Sequence, residues 1–542
     1  MVAAYIAGEP EAALKKLVKN KYDYQMLTYE EVVGDRPVSE VPVSETAPYC
    51  AADAYFSLRY HNDLVASASP NQLKVYLEID VPAVAVVSKM ELAGIKFDVD
   101  AAQKELYSCS MAIDTLTETI RERARASGFV LPATNKTCQD CHNGRKKRLT
   151  CNACGRIGKV VIPPEPLNPM ANDQLKLWFH GSKKGFGYAV KPLGLPVQGL
   201  TPGGKPSLNA LALLRLRQPP HNSVEAALVL SLRRQVKFRG YLVDWIVRAI
   251  KDKDSRIHST FTTTVVSTGR FSSREPNLQQ VKLGWRKLFI ASPGKTLVVA
   301  DYNQLEVRIA AHQSQDPALL AAMRAPVGTP ESDLHGQNVE RLFGIPIAEQ
   351  GERKDLRVSA KTDLFAAMYG GREDTLKQRR ELVALNNPDL NIPIPTFKDV
   401  ARSLRILHRT YPRYFAEYAG FVVYKAREEG GFFRTAYGRE RKLDDLFSAI
   451  KSEREAAERE GLNLTVQGTA ADIIKIAMAE VDKIPHGRIL LQVHDELVCE
   501  VDNDHVVEYT KALESAMEIG QPLTVPLIVV AKPASNWFEG HG

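Results

Sequence analysis

Leu297-Val298-Val299-Ala300-Asp301-Tyr302-Asn303-Gln304-Leu305-Glu306-Val307-Arg308 decides how the rest of the chain is read. Four apolar residues rich in valine predict a buried strand, and Gln304 to His312 predict the helix that follows it. The Asp301 carboxylate therefore stands where a strand runs out, a usual place for a site on a rigid scaffold. A second such place lies 194 residues further on. Ile489-Leu490-Leu491-Gln492-Val493 and Leu497-Val498-Cys499-Glu500-Val501 predict two short strands with His494-Asp495-Glu496 at the turn. A fold that brings Asp301 and Asp495 together would offer ligands for two Mg²⁺ ions, which stand about 3.5–4 Å apart in two-metal sites. Taken alone, each aspartate more often reads as a turn or cap residue.

A helix between them changes that balance. In Arg357-Val358-Ser359-Ala360-Lys361-Thr362-Asp363-Leu364-Phe365-Ala366-Ala367-Met368-Tyr369-Gly370, the residues Arg357, Lys361, Phe365 and Tyr369 recur every fourth position. Each step of four drifts by about 40°, so they form one slanting stripe. Two cations followed by two aromatics suit a triphosphate at one end and a base and sugar at the other. Gly370-Gly371 is the expected end of the helix. A solvated face would not carry Phe and Tyr, and a core face would not carry Arg and Lys.

Asp-Tyr-x-Gln-x-Glu-x-Arg, Arg-x3-Lys-x3-Phe-x3-Tyr-Gly and Gln-Val-His-Asp-Glu, in this order, resemble motifs A, B and C of family A DNA polymerases. That family includes bacterial DNA polymerase I and phage replicative enzymes, and a phage type is expected here. The resemblance covers about residues 49–542 apart from one insertion, and departs at Asn303, where serine is usual, and at Thr362-Asp363.

The resemblance implies an α+β multidomain fold of the right-hand polymerase type, with an antiparallel palm sheet and helical fingers and thumb. Expected boundaries are 1–70 for a remnant of a 3′–5′ exonuclease domain and 71–250 for the thumb, with the insertion at about 136–162. Palm is expected at 251–325 and 430–542, and fingers at 326–429. The implied activity is template-directed addition of deoxynucleotides to a primer 3′-OH, in replication or repair. Asp301, Asp495 and the Tyr302 carbonyl would hold two Mg²⁺, with Mn²⁺ able to substitute. Gln304, Glu306, His335, Arg357, Lys361, Phe365 and Tyr369 would meet the incoming dNTP, with Glu306 filling the space of a ribose 2′-OH. Arg270, Asn277, Gln279 and His494 would contact primer-template DNA. So would Arg459, Asn463 and Gln467, again four residues apart.

Length and composition fit this reading. A chain of 542 residues has room for several domains, and 44% hydrophobic with 25% charged residues is ordinary for a globular protein. The net charge of +7 suits a polyanionic partner. No apolar run reaches transmembrane length and the first residues lack signal-peptide regions. A cytoplasmic monomer without membrane contact is expected, in the host cytoplasm for a viral protein.

Four of the seven cysteines are clustered as Cys138-x2-Cys141-x9-Cys151-x2-Cys154. That spacing predicts one structural Zn²⁺ in a zinc ribbon inserted into the thumb. Residues 138–159 hold six Lys and Arg against Asp140 alone, so the ribbon carries a net +5. It could hold duplex phosphates or dock a replication accessory protein. Cys50, Cys109 and Cys499 read as small core residues. Gly199-x4-Gly204-Lys205 imitates a P-loop, but Pro206 replaces the Mg²⁺-binding hydroxyl and no strand precedes it. On the pattern Ser223 to Ile250, Arg233, Arg234, Lys237 and Arg239 are available for phosphates.

Tyr49-x3-Asp53 is similar to one exonuclease motif, but no Asp-x-Glu pair precedes it, so the domain reads as truncated and without proofreading. Two further readings stay open. A single-subunit RNA polymerase shares the palm and the basic helix, although Glu306 argues against it. A non-catalytic nucleic-acid-binding protein would explain the ribbon and the charge, but not the two carboxylates.

Overall fold

The computed structural model describes residues 2–6, 8, 13–129, 131, 134–137, 159–162, 166–181, 192–201, 203–251, 253–263, 265–351, 353–387, 392, 394–518 and 523–541. The chain divides into two compact units, one of residues 1–98, 248–379 and 395–542 and the other of 99–247 and 380–394.

The first unit is built on a four-stranded antiparallel sheet of β1 (Lys295–Tyr302), β2 (Gly487–Val493), β3 (Glu496–Asp502) and β4 (Val529–Ala534), in the order β2-β3-β1-β4. Leu297 to Ala300 are all buried, as their apolar run requires for a central strand. Pairing of β3 with β1 sets Glu496 opposite Asp301, and β4 sets Val530 opposite Asp301 on the other edge. Both strands of the second motif are longer than their apolar residues alone predict, so Glu496 belongs to β3 and the turn shrinks to His494 and Asp495.

Six helices of this unit matter for the site: α1 (Leu305–Ser314), α2 (Leu334–Phe343), α3 (Lys354–Met368), α4 (Lys451–Asn463), α5 (Thr469–Val481) and α6 (Val506–Glu518). Helices α1, α2 and α3 share one core, in which Val307, Leu334, Val339, Leu356, Ala360 and Leu364 are buried. At about 1.5–3 kcal/mol for each fully buried large aliphatic side chain, this packing orients α3 far more strongly than helix propensity does. A π-helical turn, Leu464–Gly468, joins α4 to α5 without a break.

The N-terminal segment, residues 1–70, is mostly helical. Its longest element is a 25-residue helix, Val43–Ser67, that runs through Pro48 and carries both Asp53 and Cys50. Cys50 is exposed there, whereas Cys109 and Cys499 are buried as expected.

The second unit contains helices Val99–Ala126, Asn172–His180, Ala210–Arg217 and most of Val224–Lys251, and among its buried residues are Leu175, Trp178, Phe179 and Leu213. Arg233 is not a free phosphate ligand: it donates to the Leu208 carbonyl at 2.5 Å and to Asn172 Oδ1 at 2.6 Å. Strands Thr134–Thr137 and Lys159–Ile162 pair antiparallel, Thr137 opposite Lys159, and so bring together the two ends of the inserted segment. The four clustered cysteines lie outside the described residues. Among the described residues no helix is long and apolar enough to cross a membrane.

Candidate active site

Asp301 is the penultimate residue of β1, and Asp495 closes the turn beside it, where its carbonyl accepts from Tyr302 N at 3.3 Å. The two predicted carboxylates are thus brought together, one at the end of β1 and the other in the turn between β2 and β3. Asp301 reaches solvent at one edge, but the protein packed around it removes much of its hydration. That desolvation, with the Asp495 carboxylate next in weight, pushes its pKa up to about 6. Burial raises Asp495 as well, and its Oδ1 is buried with no hydrogen-bond partner among the described residues. Two crowded carboxylates, one with an orphaned oxygen, fit hard divalent cations taking oxygen ligands. Mg²⁺ would be held by Asp301, Asp495 and the Tyr302 carbonyl. Among the described residues no group of three or more His, Cys, Asp or Glu side chains is gathered to hold a metal, so the site rests on two carboxylates and a backbone carbonyl.

Tyr302 contributes only backbone here, because its hydroxyl is buried against the Met517 carbonyl at 2.6 Å. Gln304 adopts a left-handed conformation, φ 55°, to turn the chain from β1 into α1, and its Oε1 is buried without a partner. Glu306, in the first turn of α1, is ion-paired with Arg270. Burial raises the Glu306 pKa, with Asp495 adding to the rise, while Arg270 opposes it.

The stripe on α3 is present but its members differ in what they can do. Lys361 is exposed and, among the described residues, has no ion-pair partner; its charge lowers the pKa of both Asp301 and Asp495. Phe365 and Tyr369 stack with centroids 6.3 Å apart, and the Tyr369 hydroxyl is buried without a partner. Tyr369 itself lies just past the last helical residue, and Gly370 follows at φ 69°, where a Cβ would come 2.8 Å from Arg459 Cγ.

Arg357 is committed elsewhere, contrary to a free triphosphate clamp. Its guanidinium holds Asp333 in a two-pronged pair, at 2.6 and 2.9 Å, while Asp333 also caps α2 by accepting from Gly336 N at 3.0 Å. Nor is His335 a second cation. Burial, followed by Lys361 and Arg357, pushes its pKa down to about 4, so the ring is neutral at pH 7 with Nδ1 unpartnered. It lies 6.4 Å from the Phe365 ring.

A cavity of about 420 Å³ opens beside Tyr369, lined in part by Gly371, Arg372, Arg379, Arg459 and Asn463. Arg459 and Asn463 therefore share a face, whereas Gln467 lies in the π-helical turn, half-buried, where the four-residue spacing no longer means one α-helical stripe. Gln279 donates to the Gln492 side chain at 3.0 Å, and Asn277 Oδ1 is buried without a partner. His494, at φ 56°, is exposed beside Asp495, and burial of its ring environment lowers its pKa.

Two features went unread in the sequence. Glu496 is buried and accepts from Trp537 Nε1 at 2.7 Å, and it pairs with His541 at 2.9 Å and Arg286 at 3.3 Å. Arg308 is buried and donates to the carbonyls of Asn303, Met323 and Pro526, each at 2.8 Å, which ties the end of motif A to its surroundings. Burial pushes its pKa down to about 10. An arginine inside an otherwise apolar helix face was the available signal for the second.

Residues 180–539 match the family model of DNA polymerase family A, and the chain belongs to that family. DNA polymerase I of Chloroflexus aurantiacus is 30% identical over 565 residues, an alignment covering 99% of this chain and 52% of that protein. The thermostable DNA polymerase I of Thermus aquaticus is 30% identical over 482 residues, covering 86% and 48%. The solved POL domain of Pol1 from M. smegmatis, in complex with DNA primer-template and dNTP, superposes with a TM-score of 0.73 at 26% identity, covering 100% of this chain and 82% of that one. The chain spans about half the length of the curated relatives it matches.

Proposed function

We propose that this chain is a DNA-directed DNA polymerase that extends a primer 3′-OH along a template and releases pyrophosphate. The observation that carries this reading is the pair of crowded carboxylates, Asp301 and Asp495, facing the unpaired ammonium of Lys361. Bound there, Mg²⁺ would supply a lowered pKa for the 3′-OH and charge neutralisation for the leaving oxygens.

The chain's own groups do the positioning. Lys361 meets the triphosphate as a point charge, and neutral His335 offers a hydrogen bond rather than a second positive charge. Arg357 reaches a phosphate only by sharing or leaving Asp333, so it serves first to orient α3 against α2. Phe365 and Tyr369 shape the nascent pair, and Glu306, steadied by Arg270, excludes a 2′-OH. Asn277, Gln279, Arg459, Asn463, Gln467 and His494 line the path of primer and template.

The palm is assigned to the sheet and its flanking helices, the fingers to α2, α3 and the helices up to about residue 429, and the thumb to about residues 71–250, most of which fall in the second unit. The paired strands at 134–137 and 159–162 support a zinc ribbon on Cys138, Cys141, Cys151 and Cys154, in a phage-type enzyme acting in the cytoplasm as a monomer. Primer extension with labelled dNTP or NTP tests the whole reading. Extension with dNTP in Mg²⁺ supports it, preference for NTP makes the chain an RNA polymerase, and binding without extension removes the catalytic assignment.

A further inference from the structure

Four charged side chains from distant parts of the first unit are buried together, away from the carboxylate pair. Asp80, Arg439, Asp472 and Lys475 are each no more than 3% exposed. Arg439 holds Asp80 with both terminal nitrogens, Nη1 to Oδ2 at 2.9 Å and Nη2 to Oδ1 at 3.1 Å, and donates from Nε to Asp472 Oδ1 at 2.8 Å. Lys475 Nζ donates to Asp80 Oδ1 at 2.6 Å, and Thr435 Oγ1 to Asp472 Oδ2 at 2.7 Å. Burial would raise the Asp80 pKa, but Lys475 and Arg439 outweigh it and hold the carboxyl below its ordinary value. Two cations thus balance two anions, the arrangement in which buried charge is tolerable.

The cluster grips the segment 266–271, from which Arg270 projects. Gly269 has φ 78°, and a Cβ there would lie 3.1 Å from Arg439 Nε, so the guanidinium packs directly against its backbone. Lys475 Nζ sits 5.5 Å from the centre of the Phe271 ring. Tyr5, on the helix Val2–Ile6, donates to the Val266 carbonyl at 2.7 Å. Between these holds the Arg270 side chain leaves the segment to pair with Glu306.

We infer that Asp80, acting through Arg439, is a positioning residue for the Arg270–Glu306 pair and thereby for discrimination between deoxy- and ribonucleotides. This rests on the reading of Glu306 as the group that excludes a 2′-OH. An arginine whose two edges are both occupied cannot rotate about its long axis. Without the Asp80 carboxylate, Nη1 loses its acceptor and Nη2 keeps only Asp472 Oδ1 at 2.7 Å, so the guanidinium turns toward Asp472 and the backing of Gly269 shifts. Arg270 then no longer holds Glu306 in one place. A cluster that served folding alone would change the amount of native protein but not the ratio in which native molecules use two nucleotides.

The test is that ratio, kcat/KM for a templated dNTP over its matching rNTP, measured on the purified full chain. Asp80→Asn should lower it by at least about fivefold, mostly through a rise in kcat/KM for the rNTP, since a loosened Glu306 no longer excludes the 2′-OH. Asp80→Glu should restore it to within about twofold of the parent. Asp80→Asn combined with Lys475→Met keeps the buried charge balanced, so it tests the same loss of anchorage in a protein that folds. Tyr5→Phe removes the hydrogen bonds to the Val266 and Ser267 carbonyls and should lower the ratio by about two- to threefold. In an Arg270→Ala background, Asp80→Asn should have no further effect on the ratio, because both act through one pair. An unchanged ratio in the charge-balanced double variant and in Tyr5→Phe overturns the inference. A parent that extends primers, but whose ratio is indifferent to Glu306→Ala, overturns the reading of Glu306 instead, and the inference with it.

Discussion

Replacing Glu306 by alanine should make the chain accept ribonucleotides in the proposed polymerase reaction. The side chain is 11% exposed and its carboxylate is anchored by Arg270, itself 29% exposed, so the group cannot swing aside for a larger sugar. With glutamate present, its side chain fills the space a 2′-OH would need, and a hydroxyl forced in beside it is buried without room for a hydrogen bond of normal geometry. An unsatisfied hydroxyl of that kind costs about 1–3 kcal/mol by protein mutational measures. At about 1.4 kcal/mol per factor of ten, this converts to discrimination of roughly 5- to 150-fold attributable to the one side chain. Glu306→Ala should recover that factor in the rNTP to dNTP ratio of kcat/KM in single-nucleotide primer extension. Glu306→Gln keeps the volume, and its amide oxygen can still accept from Arg270, so its ratio should stay within about threefold of the parent. A ratio unchanged in the alanine variant would refute steric exclusion. Equal relaxation in both variants would show that charge, not volume, sets the preference.

Asp301→Asn or Asp495→Asn should abolish extension while primer-template binding in gel-shift assays stays near parental; extension within tenfold of the parent would remove the metal assignment. Phe365→Tyr should relax discrimination against dideoxynucleotides in chain-termination assays, because the parent ring cannot replace the hydrogen bond of a missing 3′-OH; an unchanged termination pattern argues against this placement. His335 contributes stability with a definite sign. Its folded pKa near 4 lies below the ordinary 6.5, so the unfolded chain takes up a proton first. The contribution is complete above pH 6.5 and is lost as pH falls towards 4, at most about 3 kcal/mol in all. Thermal melts of His335→Gln should therefore fall less steeply than the parent between pH 7 and pH 5, and parallel curves would contradict a buried neutral ring. For the inserted segment, metal analysis should find one zinc per chain. Replacing residues 136–162 with a Gly-Ser linker should spare single additions and flatten the salt dependence, by about 0.9 in log–log slope for each duplex phosphate that the ribbon had neutralised. Absence of zinc refutes the ribbon, and an unchanged slope with zinc present moves it to protein docking.

The parts of the site that were legible are those written in local periodicity. Asp301 and Asp495 could be placed because each ends a short apolar run, and two such runs in one sheet bring their ends together. The α3 stripe could be read because helical spacing is fixed by geometry. What escaped was pairing across long separations. Nothing near Arg357 announces that Asp333, 24 positions earlier, will occupy it, and nothing near Arg439 points to Asp80, 359 positions away. Those partners depend on how α2 lies on α3, or on how the N-terminal helices meet α5, which packing decides and local pattern does not. The state of His335 was hidden for a related reason, since its depressed pKa comes from neighbours gathered by the fold. Exposure of Cys50 shows the converse limit: residue type predicts burial only on average, and the helix Val43–Ser67 happens to turn that position outward.

The π-helical turn Leu464–Gly468 has a meaning for how insertions and deletions are tolerated along this chain. Such a turn is equivalent to one additional residue wound into an otherwise α-helical rod. It sets the phase between the α4 face bearing Arg459 and Asn463, which lines the 420 Å³ cavity, and the α5 face bearing Asp472 and Lys475, which is wholly buried. Deleting one residue between 464 and 468 would close the rod into regular α-helix with little change of phase between the two faces, whereas deleting one residue within α4 or α5 would rotate everything after it by about 100°. Neither face could then keep its partners. The reading frame of side chains along α4 and α5 is thus as constrained as a coding frame, and a one-residue deletion within either helix should be harsher than one at the π turn between them.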